Sequence, residues 1–200
     1  MKIAVIFPTT SEAIHFKRDD VSIFFCGVGI AASTYTTTKV IKEHNPDVLI
    51  LAGIAGVYPE SKYDIGDTII IKSEAEADLG FFYDEGFRHI SDMSLDMDFE
   101  VTKSLECPYA NKNLPLPLGT SNTMNCAIAP FVRKEGVDVE NMEGSGFFYS
   151  CLKEKKCFYE VRSISNVAET NHEDWDYDNS IRCMTNGLHD LIEYIFKNDN

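Results

Sequence analysis

Val139-Glu140-Asn141-Met142-Glu143-Gly144 is the stretch that decides the fold, read together with Val161-Arg162-Ser163-Ile164-Ser165-Asn166 downstream. Each reads as the end of a strand that opens into a loop or a helix. A carboxylate stands at the mouth of the first, and a carboxamide at the mouth of the second. In an open α/β sheet the carboxyl ends of the strands line the ligand crevice. Glu143 in that place suits the hydroxyls of a sugar. Asn166 both donates and accepts hydrogen bonds, which suits the edge of a base. The pairing points to a nucleoside site.

Outward from these motifs, strands and helices alternate. Residues 2–7 form a continuous apolar run, as expected of a strand covered on both faces. Pro8-Thr9-Thr10-Ser11 breaks it, and Thr10 or Ser11 can cap a short helix that carries Glu12. A second strand at 21–26 turns through Gly27-Val28-Gly29 into a helix at 31–44, which Asn45-Pro46 stops. A third strand at 48–52 ends in a glycine-rich turn, Gly53 to Gly56. A fourth begins at 67 and runs to 72, with a continuation toward 79. The middle has less period. A short helix is expected at 98–105, a strand at 116–121, a helix at 127–134 and a strand at 137–141. A helix at 143–155 and a strand at 157–164 follow. The last helix, 176–197, puts Ile181, Met184, Leu188, Leu191, Ile192 and Ile195 on one face. This order predicts a single α/β domain over residues 1–200, three layers deep, with helices on both faces of a central, mostly parallel mixed sheet.

With 200 residues, 44% hydrophobic and 25% charged, the chain can bury a sizeable core. Its net charge of −14 opposes binding to nucleic acid or to an anionic membrane surface. No run approaches a membrane span or a signal peptide. The six cysteines make no CxxC pair and no His/Cys metal spacing, so they read as reduced thiols of a cytoplasmic protein, and no metal or cofactor is expected.

These motifs, with Glu12 after the first strand, Gly27-Val28-Gly29, Ala52-Gly53-Ile54-Ala55-Gly56, Ile65-Gly66-Asp67 and Ala77-Asp78-Leu79-Gly80, resemble the nucleoside phosphorylase and nucleosidase superfamily. The resemblance runs from residue 1 to about residue 196. Within the superfamily it is strongest to the futalosine hydrolases, with the methylthioadenosine/S-adenosylhomocysteine nucleosidases close by.

The resemblance implies a role for each site residue. Glu12 would hold and activate the water that attacks the anomeric carbon; read alone, an acid in a first helical turn is merely favourable with the helix dipole. Arg162 would help to hold Glu12 and its water; read alone, it is a strand Arg that must be paired. Glu143 would bind the ribose 2′- and 3′-hydroxyls, over Met142. Asn122, Thr123 and Met124 would contact the base, and Asp78 and Phe81 would shape the 5′ pocket. Trp175 either closes over the site or staples the last helix.

Asn166 stands where the methylthioadenosine nucleosidases carry Asp. An amide is no comparable acid, but its NH2 can donate to O6 or N7 of a 6-oxopurine. That favours a 5′-modified inosine such as futalosine, cleaved to hypoxanthine on the futalosine route to menaquinone. The glycine turns lack the Ser, Thr, Arg or Lys of a phosphate clamp, which favours water as nucleophile. Two alternatives stay open: a nucleosidase that releases adenine, and a nucleoside-binding protein without catalysis. The resemblance also implies a homo-oligomer, usually built on a dimer whose partner closes the 5′ pocket.

Overall fold

The computed structural model describes residues 1–94, 102–127, 129–168 and 175–198. Alternation along the strands builds the layers. In β1 (Ile3–Phe7), Ala4 and Ile6 face one side while Ile3, Val5 and Phe7 face the other. The first side packs on α1 (Ile30–His44) and α2 (Gly144–Lys153), through Val40, Ile41, Phe147, Phe148 and Cys151. The second packs on α3 (Tyr177–Lys197), through the apolar face expected of it. A sheet with helices on both faces has no apolar face left to cover, which is why its strands read as unbroken apolar runs.

β1 lies between β2 (Ser22–Phe25) and β3 (Val48–Val57), parallel to both. β3 is long enough to serve three partners. Its first half pairs with β1, its end pairs antiparallel with β9 (Val139–Asn141), and β10 (Cys157–Val167) runs parallel along it from end to end. β10 also pairs antiparallel with β4 (Thr68–Glu76), which runs parallel to β8 (Leu118–Thr123), and β8 runs parallel to β9. The strands β3, β10, β4, β8 and β9 therefore close into a ring. β5 (Gly80–Tyr83) and β6 (Gly86–His89) form a separate hairpin, and β7 (Leu105–Glu106) adds to the edge of β4.

Several local expectations are corrected. Gly53 to Gly56 form no turn: they continue β3, and glycine there gives space to side chains of the neighbouring strand. Glu12 sits in a turn and not a helix, closed by Ile14 N–H to Ser11 O at 3.3 Å and Phe16 N–H to Ala13 O at 3.0 Å. Among the described residues of 127–134 there is no helix; Pro130 supplies no N–H, and Ala129 and Val132 pack with Met124 instead. The aperiodic stretch after residue 79 is the β5–β6 hairpin, held by contacts among Phe82, Phe87 and Phe131. Of the helix expected at 98–105, residues 98–101 lie outside the described residues; residues 102–105 are not helical, and Leu105 is in β7. Among the described residues no helix is long and apolar enough to cross a membrane.

Candidate active site

Glu12, Asn166, Glu143, Met142 and Met124 line one cavity of about 220 Å³ at the carboxyl ends of β1, β3 and β10, with Trp175 and Tyr177 on its wall. Arg162 lies beneath it, 1% exposed. Five of the predicted residues thus share one space, and a sixth underpins it.

Glu12 is held by the chain around it. Thr9 Oγ1 donates to Glu12 Oε2 at 2.7 Å, and the Ile54 N–H donates to Oε1 at 3.2 Å. Burial pushes its carboxyl above the ordinary range; the Thr9 bond, the Arg162 charge and the Ile54 bond pull the other way, and Glu143 adds to the rise. A carboxylate poised higher than usual is a better proton acceptor.

Glu143 is the N-cap residue of α2 and is 4% exposed. Its Oε2 accepts from Arg162 Nη1 at 3.2 Å, and its Oε1 accepts from the Gly29 N–H at 3.2 Å. Gly29 can offer that N–H because the Gly27-Val28-Gly29 turn puts both glycines at positive φ, 82° and 99°.

Arg162 makes four hydrogen bonds. Nε donates to Glu160 Oε1 at 2.7 Å, Nη2 to Asn141 Oδ1 at 3.0 Å, and Nη1 to both Glu143 and the Ile54 carbonyl. Burial works against its charge, but Glu160 and Glu143 outweigh that and keep it firmly protonated. Its carboxylate partners are therefore Glu160 and Glu143. It acts on Glu12 through charge and through a shared residue, Ile54.

Asn166 enters the cavity because of a bulge. The β10–β3 register shifts between Ile164 and Asn166, and Ser165 is the extra residue. Ser165 Oγ donates to Asn166 Oδ1 at 2.8 Å, while Asn166 Nδ2 donates to the Val167 carbonyl at 3.0 Å. The Val167 carbonyl, which can only accept, sets which end of the amide donates. Glu140 lines the cavity nearby: a Cβ on Gly56 would lie 3.1 Å from Asn166 Nδ2 and 3.4 Å from Glu140 Cγ.

The remaining predicted residues lie elsewhere. Asn122 faces a separate cavity of about 520 Å³ and donates to the Tyr58 hydroxyl and the Arg133 carbonyl. Thr123 Oγ1 donates to Glu74 at 2.6 Å and accepts from the Ser145 N–H. Asp78 accepts from the Asn125 N–H at 2.8 Å, and Phe81 is 48% exposed on β5; neither lines the 220 Å³ cavity. Sequence reasoning missed Thr9, Asn141, Glu140, Glu160 and Glu74. Glu160 carried a signal, since it lies two residues before Arg162 on the same face of a buried strand.

No Lys or Arg is among the described residues lining the cavity. Among the described residues no His, Cys, Asp and Glu group is arranged to hold a metal ion.

A family model of the phosphorylase superfamily matches residues 7–195. Futalosine hydrolase of Thermus thermophilus is 27% identical over 155 residues, 71% of this chain and 67% of that protein. A 5′-methylthioadenosine/S-adenosylhomocysteine nucleosidase of Maridesulfovibrio salexigens is 29% identical over 100 residues, which is 50% of this chain and 37% of that protein. The structure of a futalosine hydrolase mutant of Helicobacter pylori superposes with a TM-score of 0.79 at 18% identity, over 97% of this chain and 99% of that one. With the family match reaching across nearly its whole length, the chain belongs to the phosphorylase superfamily.

Proposed function

We propose that this protein hydrolyses the N-glycosidic bond of a 5′-modified inosine, futalosine before others, and releases hypoxanthine. The observation that carries this is Asn166, an amide in the cavity that also holds Glu12 and Glu143. Water bound at Glu12 adds to the anomeric carbon as the bond to N9 breaks, and Glu12 takes the water's proton. The bonding pair leaves with the purine. Glu143 binds the ribose hydroxyls through charge-assisted bonds, and its charge favours the positive sugar ring of the transition state. Asn166 Nδ2 donates to O6 or N7 of the leaving base, and hypoxanthine departs as a stabilised anion without a strong acid behind it.

Water rather than phosphate is the nucleophile. Among the described residues the cavity wall offers no Lys or Arg, the Arg162 guanidinium beneath it is committed to four acceptors, and the Gly29 N–H is taken by Glu143. The same reading makes the protein a homo-oligomer, because Val28 lines the cavity yet is 56% exposed, and Phe25 nearby is 47% exposed. It also sets the work in the cytoplasm, as six unpaired cysteines favour, on the route to menaquinone.

The second reading is release of adenine, favoured by the relative from Maridesulfovibrio salexigens. One experiment separates the readings: futalosine, its 6-amino counterpart, methylthioadenosine and inosine, each with and without phosphate, followed by chromatography of base and sugar. Hypoxanthine and a free sugar from futalosine, at a rate independent of phosphate, is the expected result. Preferential release of adenine overturns the base assignment. A sugar 1-phosphate overturns hydrolysis, and no turnover at all makes this a binding protein.

A further inference from the structure

Behind the cavity the ring of strands encloses more acid than base. Glu74 on β4 and Glu160 on β10 are both 0% exposed, and Glu143 is 4% exposed. Arg162 is the cation bonded to two of the three, Glu160 and Glu143. Glu160 gives Oε1 to Arg162 Nε at 2.7 Å, and its Oε2 is buried with no conventional donor. Glu74 accepts from the Thr123 hydroxyl and from Asn141 Nδ2, each at 2.6 Å. The two carboxyls meet over Gly144: a Cβ there would collide with Glu74 and would lie 2.8 Å from Glu160 Oε1. Two carboxylates in contact inside a protein do not both ionise.

We infer that Glu74 and Glu160 share one proton, carried as a carboxylic acid on Glu74 and donated to the carboxylate of Glu160, and that this pair positions Arg162 and, through it, Glu143. Glu160 is the ionised member because it grips the guanidinium directly. The donated proton adds a second hydrogen bond to a carboxylate that otherwise, among the described residues, holds only Arg162 Nε. Glu74 acts by a second line as well. It fixes the Asn141 amide, whose Oδ1 accepts from Arg162 Nη2 and from the N–H groups of Glu143 and Gly144. Both lines end at the first turn of α2, where Glu143 is aimed. Neither carboxyl lines the cavity, so both are positioning residues.

The groups facing the pair fit this assignment. Arg162 on β10 and Glu143 at the head of α2 are charged; Cys107 and the α2 residue Cys151 are thiols held protonated by burial, Cys107 up to about 12. Thr123 on β8 and Asn141 on β9 are neutral. Burial leaves both carboxyls above their ordinary range, Glu74 well above it; the Glu160 charge adds to the rise of Glu74, while the Arg162 charge and the hydrogen bonds from Arg162 and Glu74 hold Glu160 back. The pairing does not depend on which nucleoside is cleaved.

The test is infrared difference spectroscopy at neutral pH, joined to pH profiles of kcat. The wild type should show the carbonyl stretch of a buried carboxylic acid, and Glu74→Gln should remove that band. Turnover of the wild type should fall on the alkaline side as Glu74 ionises. Glu74→Gln carries a permanent donor, so that alkaline fall should vanish. Glu160→Gln weakens the grip on Arg162 and should lower kcat about tenfold or more beyond the effect of Glu74→Gln. A wild type without the acid band, or with the band unchanged in Glu74→Gln, overturns the shared proton. An alkaline fall that persists in Glu74→Gln, or equal losses from the two variants, overturns the positioning role. If Glu74→Gln does not fold, Glu160→Gln decides: an acid band shifted or lost in that variant supports the shared proton, and a band identical to that of the wild type overturns it.

Discussion

Glu12 and Arg162 meet at one residue of β3: Glu12 takes the N–H of Ile54 at 3.2 Å, and Arg162 Nη1 takes its carbonyl at 3.1 Å. The N–H and C=O of a strand residue point the same way, so one peptide stretch sets the spacing of the base and the cation beside it. Gly53, just before, leaves the room. A Cβ there would stand 2.5 Å from Arg162 Nη1 and 3.0 Å from Glu12 Oε1.

Gly53→Ala therefore should fold with a loss of about 1–3 kcal/mol from overpacking. Its kcat should fall further than that loss implies, up to about 100-fold, because a displacement of about 1 Å at reacting groups costs that much. Denaturant unfolding and steady-state kinetics on the same preparation check it. Unchanged kcat would show that the Glu12–Arg162 spacing is not under tight constraint.

Glu12→Gln should keep nucleoside binding and lose about 10² to 10⁴-fold in kcat, the usual contribution of a general base. The base must be ionised to act, and burial raises its carboxyl above 4.5. Activity of the wild type should thus climb with pH through a midpoint above 4.5, and this acid limb should disappear in the variant. A Gln variant with near wild-type turnover removes Glu12 from the mechanism.

Asn166→Asp should narrow or invert the preference for the hypoxanthine nucleoside over its 6-amino counterpart. A 6-amino group faces the amide NH2 as donor against donor, and an unpaired buried polar group costs about 1–3 kcal/mol, or roughly 10- to 100-fold. An ionised Asp repels O6, whereas a protonated one donates to N7 of adenine. The gain for adenine should then grow as pH falls. Matched kcat/KM values for the two nucleosides, across pH, are the measurement.

Stability should fall as pH rises from mildly acid to alkaline. Glu74 has its folded carboxyl raised well above 4.5, chiefly by burial and then by Glu160. The folded state then holds more protons than the unfolded state above that value, and the linkage slope is negative. The contribution is fully present below the unfolded value and is lost as pH passes through the folded one. Urea unfolding of Glu74→Gln should show a shallower decline than the wild type over the same range. Identical slopes would mean that Glu74 is ionised throughout.

Glu143 and Asn166 were legible as strand-end residues, and both line the cavity. Arg162 was legible too, as a charge inside an apolar strand that had to be paired. Its partners were harder. Glu160 is local, at i−2 in the same strand, but Asn141 comes from β9, which does not neighbour β10, and Glu143 from the N-cap of α2 just after it. The base contacts expected at Asn122 and Thr123 rested on resemblance, and both side chains are committed to other polar groups.

By itself the sequence determined what repeats at short range. Apolar runs of strand length alternate with amphipathic helices, because burial on two faces forces continuous apolar strands and burial on one forces a stripe. Those rules act residue by residue and leave their trace in composition. Tertiary structure alone decided where glycine breaks a strand and where it lets one continue. In β3, Gly53 and Gly56 stay extended because β10 pairs with both and β9 with Gly56, and the missing side chains are filled by Arg162, Glu12 and Asn166. It decided equally that a one-residue bulge at Ser165 would turn Asn166 into the cavity. It also brought Glu74 against Glu160 by closing the ring of strands. Each of these depends on partners far away in the chain, and no local pattern records who they will be.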